Sequence, residues 1–476
     1  MGKSLALNLL DNGFNVAGFD LNTDNIDRAS SEAKLLNESF TGKGQFTQGT
    51  SLEHVLQGLA KPRVIALSVP AGKPVDIVVN SLLDAGLEND DIVIDTGNSL
   101  WTDTEAREVS YKGKLRFFST AVSGGEEGAR VGPALMASGD QSAWQYVKPM
   151  WEAIAAKVDG EACAAYVGPS GTGHYVKMVH NGIEYADMQL ICEVYHFMRD
   201  VLEMPAQEIG QVFEQWNNGV LNSYLMEISA DILQQEDLAT GKPFVDVVLD
   251  KAGQKGTGLW TAVNSLQEGC PTPTIAQAVY ARAMSGQKSQ RIQGSKLLKG
   301  NVADASQLDK TEVISELHDA LYCAKLSVYA QGFDLLKTAS DKEGWNLDFT
   351  QIAKIWRAGC IIRAAFLQGI TSAYQQNGEL ANLLFDEVFI KQVEERELAW
   401  RIAVANSALY GVPMPGISSA LSYFDSLRCE VLPANLLQAQ RDYFGSHTYS
   451  RVDREEAEKF HVTWSQSPRT EVKVNA

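Results

Sequence analysis

A chain of 476 residues is too long for one ordinary core, so two or three domains are expected. With 45% hydrophobic and 21% charged residues it reads as globular and soluble, and a net charge of −18 with a pI near 4.9 argues against nucleic acid or an anionic membrane as its main partner. The six cysteines form no Cys-x-x-Cys pair, the histidines are dispersed, and no apolar run approaches the ~20 residues of a membrane span; a disulfide scaffold, a metal centre and a transmembrane protein are excluded, and a cytoplasmic location fits.

The chain opens with Met1-Gly2 leading directly into a helical run, Lys3 to Asn12. A dinucleotide-binding fold begins with a strand and a Gly-rich turn whose amides meet a pyrophosphate at a helix start. Here the first strand is missing and only the last glycine of such a turn, Gly2, is in place. The natural start is expected to lie upstream; the competing expectation is a protein without its phosphate-binding turn.

Phe14 to Asp20, Arg63 to Val69, Asp91 to Asp95 and Leu115 to Val122 read as strands separated by amphipathic stretches, the rhythm of a parallel sheet with crossover helices. Ligands of such sheets bind past the carboxyl ends of the strands, at Asp20-Leu21-Asn22, Val69-Pro70-Ala71-Gly72, Gly97-Asn98 and Ser123-Gly124-Gly125. Asp20 follows Gly2 by 18 residues, close to the ~20-residue spacing of an acid that bonds the adenosine ribose. A carboxylate there accepts two ribose hydroxyls but repels a 2′-phosphate, and Leu21, Asn22 and Asn25 supply no cation. Arg28 is the nearest one, so the residues lean toward NAD.

Gly168 to Gly173 punctuates the chain, and beyond it long stretches such as Leu317 to Leu336 and Phe349 to Tyr374 carry helical periodicity. The expected organisation is an α/β Rossmann-like domain over 1–172, lacking its first strand, a large all-α domain over 173–431, and a C-terminal tail over 432–476. That tail, with short turns and little periodicity, can order only by docking on this chain or a partner subunit.

The most informative run is the helix from 173 onward. Lys177 and Glu184 are seven residues apart, hence within about 20° around the axis and roughly 10 Å along it, with His180 and Asn181 between them. Tyr175, Val176, Met178, Val179 and Ile183 give the other sides apolar surface, so the polar row is expected to face a cleft. The run Lys255-Gly256-Thr257-Gly258 combines an ammonium, a hydroxyl and exposed amides as a phosphate clamp would, without P-loop spacing. Arg282 and Arg441 add bidentate anion-binding capacity.

The segments GHYVKMVHNGIEYADMQLICE, VSGGEEGARVGP, NNGVLNSYL, KGTGLWT, VYARAMS, AGCIIRAAFL and LPANLLQAQRDYFGSHTY resemble, in the same order, those of the decarboxylating 6-phosphogluconate dehydrogenases, from Gly2 to about Trp464. The resemblance implies a homodimer whose tail threads into the second subunit, with Lys177 as general base and Glu184 as general acid. It implies substrate contacts from Asn98, Ser123, Gly124, Gly125, His180, Asn181, Tyr185, Lys255, Thr257, Arg282, Arg441 and His447, the last two reaching in from the partner chain. Tyr185, Lys255, Thr257 and Arg282 form the implied phosphate set. Gly2, Asp20, Leu21, Asn22, Val69, Pro70, Ala71 and Asn98 are the matching cofactor positions.

The cofactor implied by the family is NADP, yet the chain has Asp20-Leu21-Asn22 where the family reads Asn-Arg-Ser or Asn-Arg-Thr, and Val69-Pro70-Ala71 where it often reads Val-Lys-Ala. The implied reaction converts 6-phosphogluconate to ribulose 5-phosphate and carbon dioxide without a metal. Two alternatives stand beside it: an NAD-dependent dehydrogenase of a related acid such as 6-sulfogluconate, and an inactive binding paralogue.

Overall fold

Short apolar runs bounded by Gly, Pro, Ser or Asp build the first half of the molecule. In the computed structural model, which describes residues 1–39 and 44–474, strands β1 (Val16–Gly18) and β2 (Phe46–Gln48) form a parallel pair. A five-stranded sheet has the order β3-β4-β5-β6-β9, from β3 (Val64–Leu67), β4 (Ile92–Asp95), β5 (Arg116–Ser123), β6 (Ala134–Gly139) and β9 (Ala164–Gly168). Between β6 and β9 lies the two-residue hairpin of β7 (Lys157–Val158) and β8 (Glu161–Ala162). Among the described residues no strand joins the β1–β2 pair to the larger sheet.

The expected parallel sheet is corrected in one respect: β6 runs antiparallel to β5. The connection explains it, because α6 (Gly125–Val131) is a short turn of helix and cannot carry the chain back across the sheet. The other helices of this half are α1 (Gly2–Asp11), α2 (Thr23–Ser39), α3 (Leu52–Gly58), α4 (Lys73–Asp84), α5 (Trp101–Tyr111) and α7 (Gln141–Ile154). One face of the sheet packs Ile92, Ile94, Phe118 and Leu135 against Leu5, Val147 and Trp151; the other packs Leu67, Val93 and Phe117 against Val75, Val79 and Leu82. β4 is buried along its whole length, which is why it reads as an unbroken apolar run.

Helix α8 (Thr172–Asp200) leads into α9 (Ala206–Asn217), α10 (Tyr224–Gln234), α11 (Phe244–Val247), α12 (Thr257–Glu268), α13 (Pro273–Gly286), α14 (Lys288–Leu297) and α15 (Lys310–Glu343). Then follow α16 (Phe349–Trp356), α17 (Leu367–Gln376), α18 (Glu387–Glu394), α19 (Glu397–Leu409), α20 (Pro415–Leu427) and α21 (Ala434–Gly445). α8 packs against β5, β6, β9 and α5 on one side and α12, α13 and α15 on the other. Lys325 on α15 and Asp187 on α8 form an ion pair at 2.6 Å with side chains 0% and 1% exposed, and Lys325 also reaches Ser223 Oγ at 3.4 Å.

The stretch Phe349 to Tyr374, expected as continuous helix, is broken between α16 and α17. Gly359 sits there at φ +67°, and a Cβ on it would come within 2.6 Å of the Gly132 carbonyl. Its own carbonyl accepts the Ala134 amide at 2.8 Å, joining this bend to the start of β6.

Residues Met1–Leu421 form one compact unit and Ser422–Ala476 a second. The second holds more structure than the expected turns: the whole of α21, and an antiparallel pair, β10 (Lys459–Val462) with β11 (Glu471–Val474). Leu436, Leu437, Tyr443 and Phe444 of α21 are exposed and only Asp442 is buried, so no apolar stripe marks the helix. No helix among the described residues is long and apolar enough to cross a membrane.

Candidate functional site

Two glycines let α8 and α12 approach closely. A Cβ on Gly182 would lie 2.6 Å from Thr261, and one on Gly258 would lie 2.3 Å from the Tyr185 ring. The polar row of α8 therefore faces protein on most sides. Lys177 is 6% exposed, His180 0% and Asn181 8%, while the Glu184 side chain keeps 20% of its surface.

Lys177 Nζ donates to Ser123 Oγ at 2.9 Å, at the end of β5, and lies 3.2 Å from His180 Nδ1. His180 Nδ1 is also 3.1 Å from Asn181 Oδ1 and 3.9 Å from Glu184 Oε2, and Nε2 is 3.4 Å from Ser123 Oγ. The Trp356 ring stands edge-on to the imidazole at 5.6 Å. Asn181 Nδ2 donates to Thr257 Oγ1 at 2.9 Å, bringing in the start of α12. A cavity next to Lys177 is lined by Asn98, Ser99, His174, Met178, Thr257 and Trp260.

Burial pulls the Lys177 amine below the ordinary lysine value, against the opposing charge of Glu184 and the influence of Cys360. Burial also drives His180 well below the usual imidazole value, with the neighbouring Lys177 adding to it and the Asn181 hydrogen bond opposing. Glu184 is pushed up by burial, against Lys177 and Arg282, with Asp187 adding to the rise. One face of one helix thus carries an amine biased toward its neutral form and a carboxyl biased toward its protonated form, separated by a neutral imidazole.

A second cluster adjoins it. The Arg282 guanidinium lies over the Tyr185 ring, 3.5 Å from its centroid, and donates to Gly253 O at 3.1 Å. The loop that Arg282 touches carries exposed Lys255 and ends at Gly256, φ +96°, where α12 begins without a side-chain cap. Tyr185, Arg282, Lys255 and Thr257 are thereby gathered around a helix start that suits an anion. Gly124, at φ +103°, and Gly125, at φ +68°, open α6 directly after Ser123. Arg441 and His447 belong to the second unit: Arg441 Nη1 donates to Gln438 Oε1 at 3.2 Å, and the His447 ring lies 6.0 Å from that of Phe444.

The cofactor positions fit a dinucleotide. Gly2 opens the ten-residue helix α1 with no side-chain cap, and a Cβ there would meet Ser68, at the end of β3, at 2.9 Å. Asp20 is exposed just past β1, its Oδ1 accepting the Asn22 amide at 2.8 Å and its Oδ2 the Asn25 side chain at 3.2 Å; Leu21 is 92% exposed. Val69, Pro70 and Ala71 follow β3, and exposed Asn98 follows β4. Such an exposed carboxylate with an uncapped helix start is the donor and acceptor set of a ribose and a pyrophosphate.

Sequence reasoning missed Trp356 and Cys360, which approach α8 from the bend near Gly359, and His174, Asp95 and Arg107 beneath the Asn98 loop. Only His174, one turn ahead of Lys177, had a signal: it shares the face of the row that was read.

Two family models match the chain: the NAD binding domain of 6-phosphogluconate dehydrogenase over residues 1–168, and the 6-phosphogluconate dehydrogenase C-terminal domain over 173–464. The Bacillus subtilis (strain 168) protein named "6-phosphogluconate dehydrogenase, NADP(+)-dependent, decarboxylating" is 49% identical over 467 residues, covering 98% of this chain and 97% of its own length. The Homo sapiens protein named "6-phosphogluconate dehydrogenase, decarboxylating" is 46% identical over 469 residues, covering 98% and 95%. The structure of Plasmodium falciparum 6-phosphogluconate dehydrogenase, described as apo, with its cofactor NADP+ and with its substrate 6-phosphogluconate, matches with a TM-score of 0.92 at 39% identity, over 98% of both chains.

Proposed function

The chain belongs to the family of decarboxylating 6-phosphogluconate dehydrogenases, oxidoreductases of the pentose phosphate pathway, and from that premise we propose that Lys177 is its general base and Glu184 its general acid. The reaction is oxidative decarboxylation of 6-phospho-D-gluconate to D-ribulose 5-phosphate and carbon dioxide. A bound nicotinamide dinucleotide supplies the hydride acceptor. Lys177, held toward its neutral form by burial, takes the proton of the carbon-3 hydroxyl as hydride leaves that carbon. The resulting β-keto acid loses its carboxylate as carbon dioxide, and the Lys177 ammonium stabilises the enediolate charge that develops on the carbon-3 oxygen. Glu184, held toward its protonated form, then delivers a proton to the carbon that lost the carboxylate, carbon 1 of the product, collapsing the enediolate to the ketone, and the proton that Lys177 took returns to Glu184 before the next turnover.

The observation that carries this reading is the pairing of opposite biases on one helix face, amine and carboxyl on either side of His180. Ser123 and Asn181 orient the sugar hydroxyls and carboxylate together with His180, Asn98, Gly124 and Gly125. Tyr185, Lys255, Thr257 and Arg282 hold the phosphate. Arg441 and His447 complete that set from the tail of a second copy, making the active species a homodimer. Exposed Leu266 on α12, Tyr280 and Met284 on α13, and Leu297 and Leu298 at the end of α14 supply apolar surface for such a partner. The free thiols suit a cytoplasmic enzyme.

For the cofactor, Gly2, Leu21, Asn22, Val69, Pro70 and Ala71 frame a site in which Asp20 sets the choice toward NAD over NADP. Its carboxylate stands where a 2′-phosphate would be repelled, and Arg28 is engaged with Asn25 Oδ1 at 3.2 Å and the Asp24 carbonyl at 3.1 Å. Measuring kcat/KM for 6-phosphogluconate oxidation with each cofactor tests both parts. No turnover with either would sink the enzymatic reading, and a strong preference for NADP would sink the assignment of Asp20.

A further inference from the structure

The two loops that face the proposed dinucleotide are tied together by one buried side chain. Arg107, on α5, is 5% exposed. Its Nε donates to Asp76 Oδ1 at 2.8 Å and its Nη2 to Asp76 Oδ2 at 3.1 Å, a two-pronged pairing with the first turn of α4. The same Nη2 donates to the Gly72 carbonyl at 3.0 Å, at the end of the turn that follows β3. On its other side Nη1 faces Asp95 Oδ2 at 3.8 Å and has no hydrogen-bond partner among the described residues.

Asp95, 0% exposed, organises the second loop: its Oδ1 accepts the Gly97 amide at 2.9 Å and its Oδ2 the Ser99 hydroxyl at 2.6 Å, so it grips both neighbours of Asn98. The loops also touch directly, because Thr96 donates from Oγ1 to the Leu67 carbonyl at 2.6 Å and a Cβ on Gly97 would lie tightly, 3.1 Å from Asp95 Oδ1 and 3.4 Å from the Val69 carbonyl. The cluster continues into the helix that carries the base. His174, one turn ahead of Lys177, feels the charges of both Asp95 and Arg107 and lies with Nδ1 2.7 Å from Thr104 Oγ1 on α5.

We propose that Arg107 is a positioning residue for the dinucleotide: its guanidinium fixes the spacing between the Val69–Gly72 turn and the Asn98 loop, so that both backbones meet the cofactor together and in register with Lys177. A lysine could keep the charge but could not bind Asp76 with two nitrogens, reach Gly72 and face Asp95 at once. This rests on the cofactor reading above.

Full-length enzyme is titrated with NAD and with NADP, and separately with 6-phosphogluconate, by calorimetry, alongside thermal unfolding. Arg107→Lys is expected to weaken whichever dinucleotide binds by about 10-fold or more, with a clearly smaller loss, about 3-fold or less, for 6-phosphogluconate, whose proposed contacts include only Asn98 from these two loops. Asp76→Asn, at a half-exposed side chain that folding tolerates, is expected to weaken the dinucleotide by about 3-fold through loss of the charged half of the pairing. Wild-type dinucleotide affinity in a folded Arg107→Lys protein, or in Asp76→Asn should the first fail to fold, overturns the proposal, as does an equal loss for both ligands. A wild-type enzyme that binds neither dinucleotide would instead overturn the cofactor reading.

Discussion

Gly359 places its carbonyl so near Gly124 that a Cβ on Gly124 would come within 2.6 Å of it. The helical half of the first unit thus supports, backbone against backbone, the Ser123-Gly124-Gly125 loop that holds the Lys177 amine. Gly359→Ala forces a side chain at φ +67° into the Gly132 carbonyl, 2.6 Å away. A cost of about 1–3 kcal/mol is expected, read as a lower midpoint in urea, together with a raised KM for the sugar acid as the loop shifts. Wild-type KM in a destabilised variant would separate packing from loop support.

Lys177→Met is expected to slow hydride transfer by about 10²–10⁴-fold, the range of a lost general base. Glu184→Gln should leave the first formation of reduced cofactor largely intact and slow the proton delivery that completes the product. Rapid-mixing absorbance for the reduced cofactor, with ribulose 5-phosphate assayed in quenched samples, separates the two steps.

The same pair governs the pH profile. Activity falls as pH drops and Lys177 takes up a proton, and burial places this limb below the ordinary lysine range. Glu184 opposes that shift, so removing its charge lowers the Lys177 pKa further. The acidic limb of Glu184→Gln should therefore move to lower pH in the hydride-transfer rate. In product formation, by contrast, activity falls as Glu184 ionises with rising pH, through a pKa that burial holds above the usual carboxylate range. A limb that moves upward in the variant would refute the coupling.

Exchange of the tail has a decisive readout. Lys177→Met and Arg441→Ala homodimers should both be impaired, but a mixed dimer contains one site with an intact Lys177 and an intact partner Arg441. Mixing and re-associating the two variants should restore activity toward one wild-type site per dimer. No recovery would mean that Arg441 serves its own chain.

Deep in the helical half, Lys325→Met alone leaves Asp187 charged and unpaired, at an expected cost of about 3–5 kcal/mol. The double variant with Asp187→Leu should regain most of it, since an apolar pair replaces a buried ion pair with little loss. Chemical denaturation of the two singles and the double gives the coupling energy. Equal instability of Lys325→Met and the double would show that shape, not charge, is at stake.

What could be read from the residues follows from how locally each signal is written. β4 and the rows of α8 and α15 were legible because a buried strand or helix carries its own periodicity, and the Lys177-to-Glu184 row needed only helix geometry. The bend at Gly359 was not, since it depends on a backbone partner more than 200 residues away in the chain, Ala134 against Gly359, and the antiparallel course of β6 was not, since it is set by the shortness of α6, which no residue pattern in Gly125–Val131 announces. α21 escaped because it exposes its apolar residues, and Arg107 because its partners lie at Gly72, Asp76 and Asp95, on separate elements.

Helix α8 is 29 residues long and lies almost wholly inside the protein, sheet at one end and helices at the other. A rod shared in this way leaves no hinge for a clamshell between the two halves of the Met1–Leu421 unit: prising them apart would mean bending or unsheathing the rod itself. Traffic of sugar and dinucleotide must then be handled by small excursions of the 69–72 and 251–256 loops, and turnover is expected to respond to loop rigidity rather than to the viscosity drag of a swinging domain.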